Sequence, residues 1–251
     1  CESARPYVRG RGGASAAFSS LVDNTDMPTV LLVRHGQASF GAADYDVLSE
    51  LGRRQAEIVA ASLAERDYRP ARLYSGTLRR QHETAAAFRA LGAPELEVDP
   101  RWNEFDPDDV LTHHSDSSLR IEGDGSGETL TNRSFQAALE PALAEWVAHA
   151  ERSPTSPTWP QFSGAGPAAL GALTAGLGSG ETAVVVTSGG AIAAVVGALL
   201  GAPAEVFAAL NRTLVNAGVT KIAIGSTGTN VLSVNDHSHL EAVDRELVTY
   251  R

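Results

Sequence analysis

Residues 31–33 form an apolar run that is predicted to be a strand, and it is followed directly by Arg34, His35 and Gly36. A neutral imidazole is one of the few side chains that can attack phosphorus near neutral pH. The adjacent guanidinium can hold two phosphoryl oxygens in a planar fork, and the glycine would let a bulky tetrahedral group approach the backbone. The tripeptide therefore indicates phosphoryl chemistry, although a histidine at a strand end is also a common structural residue that only forms hydrogen bonds.

Two further clusters follow later predicted strands. Arg79 and Arg80 fall in the first turn of a predicted helix, where positive charge opposes the helix dipole and favours a bound anion. Ser188, Gly189 and Gly190 form a turn that could present backbone N–H groups to a phosphate. Solvated arginines and tight helix–strand packing are the alternative interpretations.

The strands and helices that would position these clusters are predicted to alternate along the chain. Residues 30–33 and 183–186 are short and continuously apolar, as strands buried on both faces are. Ser49 is a predicted helix N-cap, and residues 219–224 and 231–234 flank a Gly-Ser-Thr-Gly turn typical of a hairpin or of neighbouring strands. The pattern predicts a three-layer α/β/α sandwich with a mostly parallel central sheet, in which chemistry collects at the carboxyl ends of the strands.

We expect one domain over residues 29–251. Residues 1–28 lack both an apolar period and the roughly 7–15-residue apolar stretch of a secretory signal, so we interpret them as a disordered leader or upstream sequence. The only methionine, Met27, is the predicted start, and a genuine flexible tail is the alternative. Three prolines and two serines within residues 153–160 predict a loop over about residues 152–166, before a helix from residue 167.

Composition argues against several classes of protein. The chain has 20 basic and 30 acidic residues and a formal charge of −10, so neither nucleic acid nor an anionic membrane is an expected partner. Its single cysteine, Cys1, excludes an intrachain disulfide. The longest apolar stretch, residues 191–204, is too short for a bilayer core of about 30 Å. We expect a cytoplasmic protein and leave a homodimer open.

Six segments, in order over residues 29–240, together carry a family resemblance that none of them carries separately. They are Leu32-Val33-Arg34-His35-Gly36, Tyr45-Asp46-x-Leu48-Ser49-x-Leu51-Gly52-x-x-Gln55-Ala56, Tyr74-Ser75-x-x-Leu78-x-Arg80-x-x-x-Thr84-Ala85, Asn103-Glu104-Phe105, Gly127-Glu128-Thr129 and Asn235-x-x-x-His239-Leu240. This combination resembles the histidine phosphatase (phosphoglycerate mutase-like) superfamily. The resemblance implies a phosphoglycerate mutase-like fold.

The resemblance also implies roles for single residues. His35 would be the nucleophile that becomes transiently phosphorylated, and Glu104 would protonate the leaving alkoxide and then activate water. Arg34 and Arg80 would bind phosphoryl oxygens; Arg80 is preferred to its neighbour because it precedes Thr84 by the family's four residues. Because two arginines supply the positive field, no metal or other cofactor is required. Ser188, Gly189 and Gln37 are the remaining residues predicted to bind phosphate.

Two positions depart from the family pattern. Members usually carry a second histidine where this chain has Ser188, and an asparagine where it has Gly41. Serine can donate a hydrogen bond but brings no positive charge, so we expect weaker phosphate binding and a lower rate. His237 or His239 could compensate.

The segment after Glu104 is strongly acidic. Residues 104–128 contain eight acidic residues and one basic residue, Arg120. A phosphoglycerate mutase would need cations there to hold a carboxylate and a second phosphate. We interpret this segment as an acidic lid or insertion, whose simplest reading is a mobile surface segment.

The sequence thus predicts a metal-independent phosphomonoesterase that hydrolyses a small phosphorylated metabolite through a phosphohistidine. A phosphoglycerate mutase-type phosphotransferase and a catalytically weak, phospho-ligand-binding pseudo-phosphatase are the alternatives.

Overall fold

The computed structural model describes residues 27–39, 46–114, 132–150, 152–226 and 228–250. The predicted leader up to residue 26, Gly41 and lid residues 115–128 lie outside these ranges. The strands are β1 (Thr29–Arg34), β2 (Pro70–Ser75), β3 (Leu96–Val98), β4 (Thr182–Thr187), β5 (Val219–Gly225) and β6 (Gly228–Asp236). The helices are α1 (Glu50–Glu65), α2 (Arg79–Ala90), α3 (Pro107–His114), α4 (Asn132–Ala148), α5 (Trp159–Thr174), α6 (Gly189–Leu199), α7 (Pro203–Leu210) and α8 (Ser238–Glu241).

The six described strands form one sheet in the order β3-β2-β4-β1-β5-β6. Neighbours from β3 to β1 are parallel, whereas β5 runs antiparallel to both β1 and β6. The mostly parallel sheet and the hairpin are therefore confirmed. In the register of the sheet, Arg34 at the end of β1 is opposite Thr187 at the end of β4, so the residues that follow these strands emerge at the same edge.

Helices cover both faces of the sheet, which confirms the three-layer prediction. Val30 and Leu32 of β1 pack on one side with α4, α5, α6 and α7. Leu31 and Val33 pack on the other side with α1 and α2. Because side chains alternate along a strand, a continuous apolar run lets β1 bury both faces. In the described ranges, no helix is both long enough and apolar enough to cross a bilayer.

The starts of α1 and α5 test the predicted Ser49 cap and the predicted loop over residues 152–166. Ser49 caps α1 as predicted, since its side chain accepts a hydrogen bond from Gly52 N at 3.0 Å. The loop prediction for residues 152–166 is wrong in its second half, because α5 begins at Trp159. Thr158 and Gln161 form a capping box there, and a proline at the second helical position leaves no needed donor missing. Pro160, which counted toward the loop prediction, therefore belongs to the first turn of α5.

Candidate active site

His35 follows β1 and is held there by backbone contacts. Its N–H donates to Thr187 O at 2.8 Å, which ties the end of β1 to the end of β4. The ring Nδ1 lies 2.7 Å from Gly36 O. A carbonyl only accepts, so we assign the proton of the neutral ring to Nδ1, which leaves a lone pair on Nε2. Burial lowers the pKa of His35 well below its ordinary value, and the charges of Arg80 and Arg34 lower it further, against the hydrogen bond to Gly36.

Arg80 faces this lone pair. Its Nε donates to His35 Nε2 at 3.1 Å, and its Nη1 donates to Asp46 Oδ1 at 2.7 Å. The other oxygen of Asp46 accepts from the backbone N of Arg79 at 2.8 Å. One carboxylate therefore orients the Arg80 side chain and caps the first turn of α2. The Arg79 side chain instead pairs with Glu83 at 3.2 Å and is largely exposed. The arginine chosen from the sequence is therefore the one beside His35.

Arg34, the residue before His35, is held by two backbone carbonyls. Its Nη1 donates to the carbonyl of Leu214 and, at 2.6 Å, to the carbonyl of Tyr250. A Cβ added to Gly189 would lie 3.4 Å from Arg34 Nε. Gly189 therefore lies directly against the Arg34 guanidinium. The two carbonyls, which belong to distant segments of the chain, fix the orientation of this guanidinium.

Glu104 is joined to the first turn of α6. Its Oε2 accepts from Gly190 N at 2.9 Å, and its Oε1 accepts from Phe105 N at 3.2 Å. The Phe105 ring is buried against Trp146 and Phe162, with centroids 5.4 and 5.5 Å away. Burial raises the pKa of Glu104, against the lowering effect of the Gly190 hydrogen bond and of the nearby arginine charges. The aromatic contacts of Phe105 thus hold the neighbouring carboxyl group, whose pKa burial raises, in place.

The other predicted phosphate ligands are more enclosed. Ser188 is fully buried and accepts from Gln81 Nε2 at 2.9 Å rather than capping α6 with its side chain. Gln37 donates its backbone N–H to Gln55 Oε1 at 2.8 Å, and its side-chain oxygen accepts from Ser49 at 2.9 Å. Its side chain is therefore tied to the start of α1.

The histidines considered as replacements have other partners. His239 Nε2 lies 3.0 Å from Ala217 O, and His237 Nδ1 lies 2.6 Å from Asn235 O. Both rings are therefore engaged with backbone near β5 and β6, and these contacts do not bring them to the His35 ring.

Together these groups have the chemical properties that phosphoryl transfer requires. A neutral imidazole supplies a nucleophilic nitrogen, two guanidinium groups can stabilise charge on phosphoryl oxygens, and a carboxyl with a raised pKa can supply a proton. The model of the histidine phosphatase superfamily (branch 1) matches residues 30–237 of the chain. The chain belongs to the histidine phosphatase superfamily.

Solved structures agree with this membership. Mycobacterial glucosyl-3-phosphoglycerate phosphatase in complex with vanadate is 25% identical, with a TM-score of 0.60 over 82% of this chain and 98% of the other. The same mycobacterial phosphatase with inorganic phosphate is 26% identical, with a TM-score of 0.59 over 84% and 98%. A phosphoserine phosphatase variant from Entamoeba histolytica in complex with phosphoserine shares the fold at 20% identity, with a TM-score of 0.59 over 85% and 100%. A comparison with curated proteins found no match.

Several residues that support this histidine phosphatase site were not predicted as site residues. Asn216 is buried and donates from Nδ2 to His35 O at 3.2 Å. Thr84 accepts from Gly36 N at 3.1 Å and donates to Arg80 O at 2.8 Å, which explains physically why its spacing from the arginine matters. The family motif contained Asp46 and Thr84, so their positions were a usable signal. Asn216 had none, because its contact spans 181 residues.

Proposed function

We propose that this member of the superfamily is a phosphomonoesterase that hydrolyses a small phosphorylated substrate through a phosphohistidine on His35. The contact of His35 Nε2 with Arg80 Nε at 3.1 Å, with Nδ1 occupied by Gly36 O, carries the proposal. It supports an unprotonated nitrogen beside a cation that could stabilise phosphoryl charge.

In the first step, the lone pair of His35 Nε2 forms a bond to phosphorus while the phosphorus–oxygen bond to the leaving group breaks. The Arg80 N–H that contacts Nε2 in the free protein would move to a phosphoryl oxygen. Glu104 gives its proton to the departing alkoxide and becomes a carboxylate. The proton stays on Nδ1 and is donated to Gly36 O, and this hydrogen bond stabilises the positive charge of the phosphorylated ring.

In the second step, the Glu104 carboxylate takes a proton from a water molecule while the oxygen of that water attacks phosphorus. The nitrogen–phosphorus bond breaks, inorganic phosphate leaves, and His35 and Glu104 return to their starting protonation states. The positive charges of Arg34 and Arg80 would serve both steps, so the proposal includes no metal ion and no organic cofactor. Gly189, Ser188 and Gln37 remain proposed phosphate contacts.

The similar structures support hydrolysis rather than phosphoryl transfer to a second metabolite. The two at 25% and 26% identity are of a phosphatase, and the acidic segment after Glu104 would repel a second phosphate. A small phosphorylated metabolite as partner remains a prediction from the family resemblance. The absence of nucleic-acid and membrane partners and a cytoplasmic location remain predictions from composition, and a homodimer remains open.

The deciding experiment is an aryl phosphatase assay in EDTA on the wild type and His35→Ala, with rapid quench of a phosphorus-labelled substrate. We expect turnover without metal, acid-labile label in the wild type, and loss of both in the variant. His149→Ala, on an exposed part of the chain beyond α4, is the matched control. Turnover that survives in His35→Ala would contradict the covalent mechanism. Vanadate binding without turnover would indicate a pseudo-phosphatase, and label passed to added phosphoglycerate in preference to water would indicate a mutase.

A further inference from the structure

Gln81 follows Arg80 in α2 and is fully buried against the turn after β4. Its Nε2 donates to Ser188 Oγ at 2.9 Å and to Trp102 O at 3.1 Å. Among the described residues, no group hydrogen-bonds its Oε1. A buried amide oxygen without a partner costs desolvation free energy, whereas both hydrogen bonds of this amide are made through its nitrogen.

The contact with Trp102 fixes the direction of the second hydrogen bond. A carbonyl cannot donate, so the NH₂ group of Gln81 must face Trp102 O. The same nitrogen then also donates to Ser188, and the serine oxygen is an acceptor in this pair. The hydroxyl proton of Ser188 is therefore directed to an acceptor other than Gln81.

Ser188 stands between two residues that contact the reacting groups. Thr187 accepts from the backbone N–H of His35 at 2.8 Å, and Gly189 lies against the guanidinium of Arg34. Gln81 itself follows Arg80, whose Nε contacts His35 Nε2. The Gln81–Ser188 pair thus links the ends of the two elements that would surround a phosphoryl group.

We propose that Gln81 is a positioning residue that holds Ser188 so that the serine hydroxyl donates to a phosphoryl oxygen. Ser188 stands at the position where the superfamily usually has its second histidine, and the Gln81 amide nitrogen lies only 2.9 Å from its hydroxyl, so a larger side chain at position 188 would meet the buried amide. This inference rests on the proposed function. It predicts a phosphate site whose donor at position 188 is neutral and does not titrate.

The first test is a double-mutant cycle on vanadate affinity. Gln81→Met keeps the length of the side chain and removes the donor, and Ser188→Ala removes the acceptor. We expect each to weaken vanadate binding by about tenfold or less, and the double variant to be no weaker than the worse single one, because one residue acts through the other. Gln161→Met, at the exposed start of α5, is the control and should leave the affinity unchanged. Additive losses, or no loss in Gln81→Met, would overturn the proposal.

The second test exchanges the pair for a histidine. Ser188→His alone should bind vanadate more weakly than the wild type or fold poorly, because the ring meets the buried Gln81 amide. Gln81→Ala with Ser188→His should fold, regain wild-type affinity or better, and add an ionisation to the pH dependence of vanadate binding. Wild-type affinity in Ser188→His alone, or no recovery in the double variant, would contradict the proposal. Melting temperatures of all variants separate these effects from unfolding, and the exchange decides the matter should Gln81→Met not fold.

Failure of the proposed function looks different. A wild type that neither binds vanadate nor hydrolyses aryl phosphates would contradict phosphomonoesterase activity itself. A wild type that does both, with Gln81→Met unchanged in both, would contradict only the role of Gln81.

Discussion

Gly190 donates its backbone N–H to Glu104 Oε2 over 2.9 Å, and a Cβ at position 190 would overlap Oε1 of the same carboxyl. The acid therefore lies directly on the first turn of α6, where only a glycine leaves room for it. Because this turn follows β4, whose last residue binds the backbone of His35, one strand end positions both the proposed nucleophile and the proposed acid.

Glu104→Gln should separate substrates by their leaving groups. The amide keeps the shape of the side chain but has no proton to transfer, so phenyl phosphate hydrolysis should fall by about 10²–10⁴-fold. Nitrophenyl phosphate, whose leaving group hardly needs a proton, should lose much less in the phosphorylation step. Single-turnover rates on both substrates make the comparison. Equal losses would place Glu104 outside proton transfer.

The pH profile of kcat/KM for phenyl phosphate should extend to the acid side of the ordinary histidine range. Burial and the arginine charges lower the pKa of His35, so its nucleophilic form persists as the pH falls below the usual histidine value. Burial raises the pKa of Glu104, so activity should decline as the pH rises through that raised value and the acid loses its proton. Glu104→Gln should lack this alkaline decline, and a decline that persists in the variant would assign it to another group.

Asp46→Asn should weaken phosphate binding with little effect on folding. The carboxylate orients Arg80 through a 2.7 Å ion pair that is only partly exposed, so we expect vanadate to bind about three- to tenfold more weakly. Asp67→Asn is the matched control, because its ion pair with Arg69 is highly exposed. Isothermal titration with vanadate measures both. Unchanged affinity in Asp46→Asn would mean that α2 alone orients Arg80.

Gly52→Ala should lower both stability and activity. A Cβ there would overlap the backbone O of Gln37 and lie 2.8 Å from its N, and backbone atoms two residues after His35 have little freedom to retreat. Overpacking of this kind typically costs about 1–3 kcal/mol of unfolding free energy. Gly171→Ala is the control: it meets no atom within 4 Å and should stabilise α5 by about 0.5–1 kcal/mol. Urea unfolding and kcat/KM measure the two effects, and a harmless Gly52→Ala would show that β1 and α1 can separate.

Local pattern was enough to predict much of the architecture. Neighbouring residues alone define the apolar runs of β1 and β4, the Ser49 cap and the alternation of strands and helices. The sequence therefore predicted the three-layer fold and placed the site at the carboxyl ends of the strands. Motif spacing also distinguished Arg80 from Arg79, because four residues along a helix put the arginine carbonyl against the hydroxyl of Thr84.

Contacts between distant segments could not be predicted this way. The pairing of Asp46 with Arg80, of Asn216 with the His35 carbonyl and of Gln81 with Ser188 joins residues 34, 181 and 107 positions apart. Such contacts depend on strand register and on which side of a helix meets the sheet, and no local period encodes either. The sequence by itself determined the family, the strand ends and the residue types at the site, whereas the tertiary structure decided their partners, because burial and hydrogen-bond direction exist only once the elements are packed.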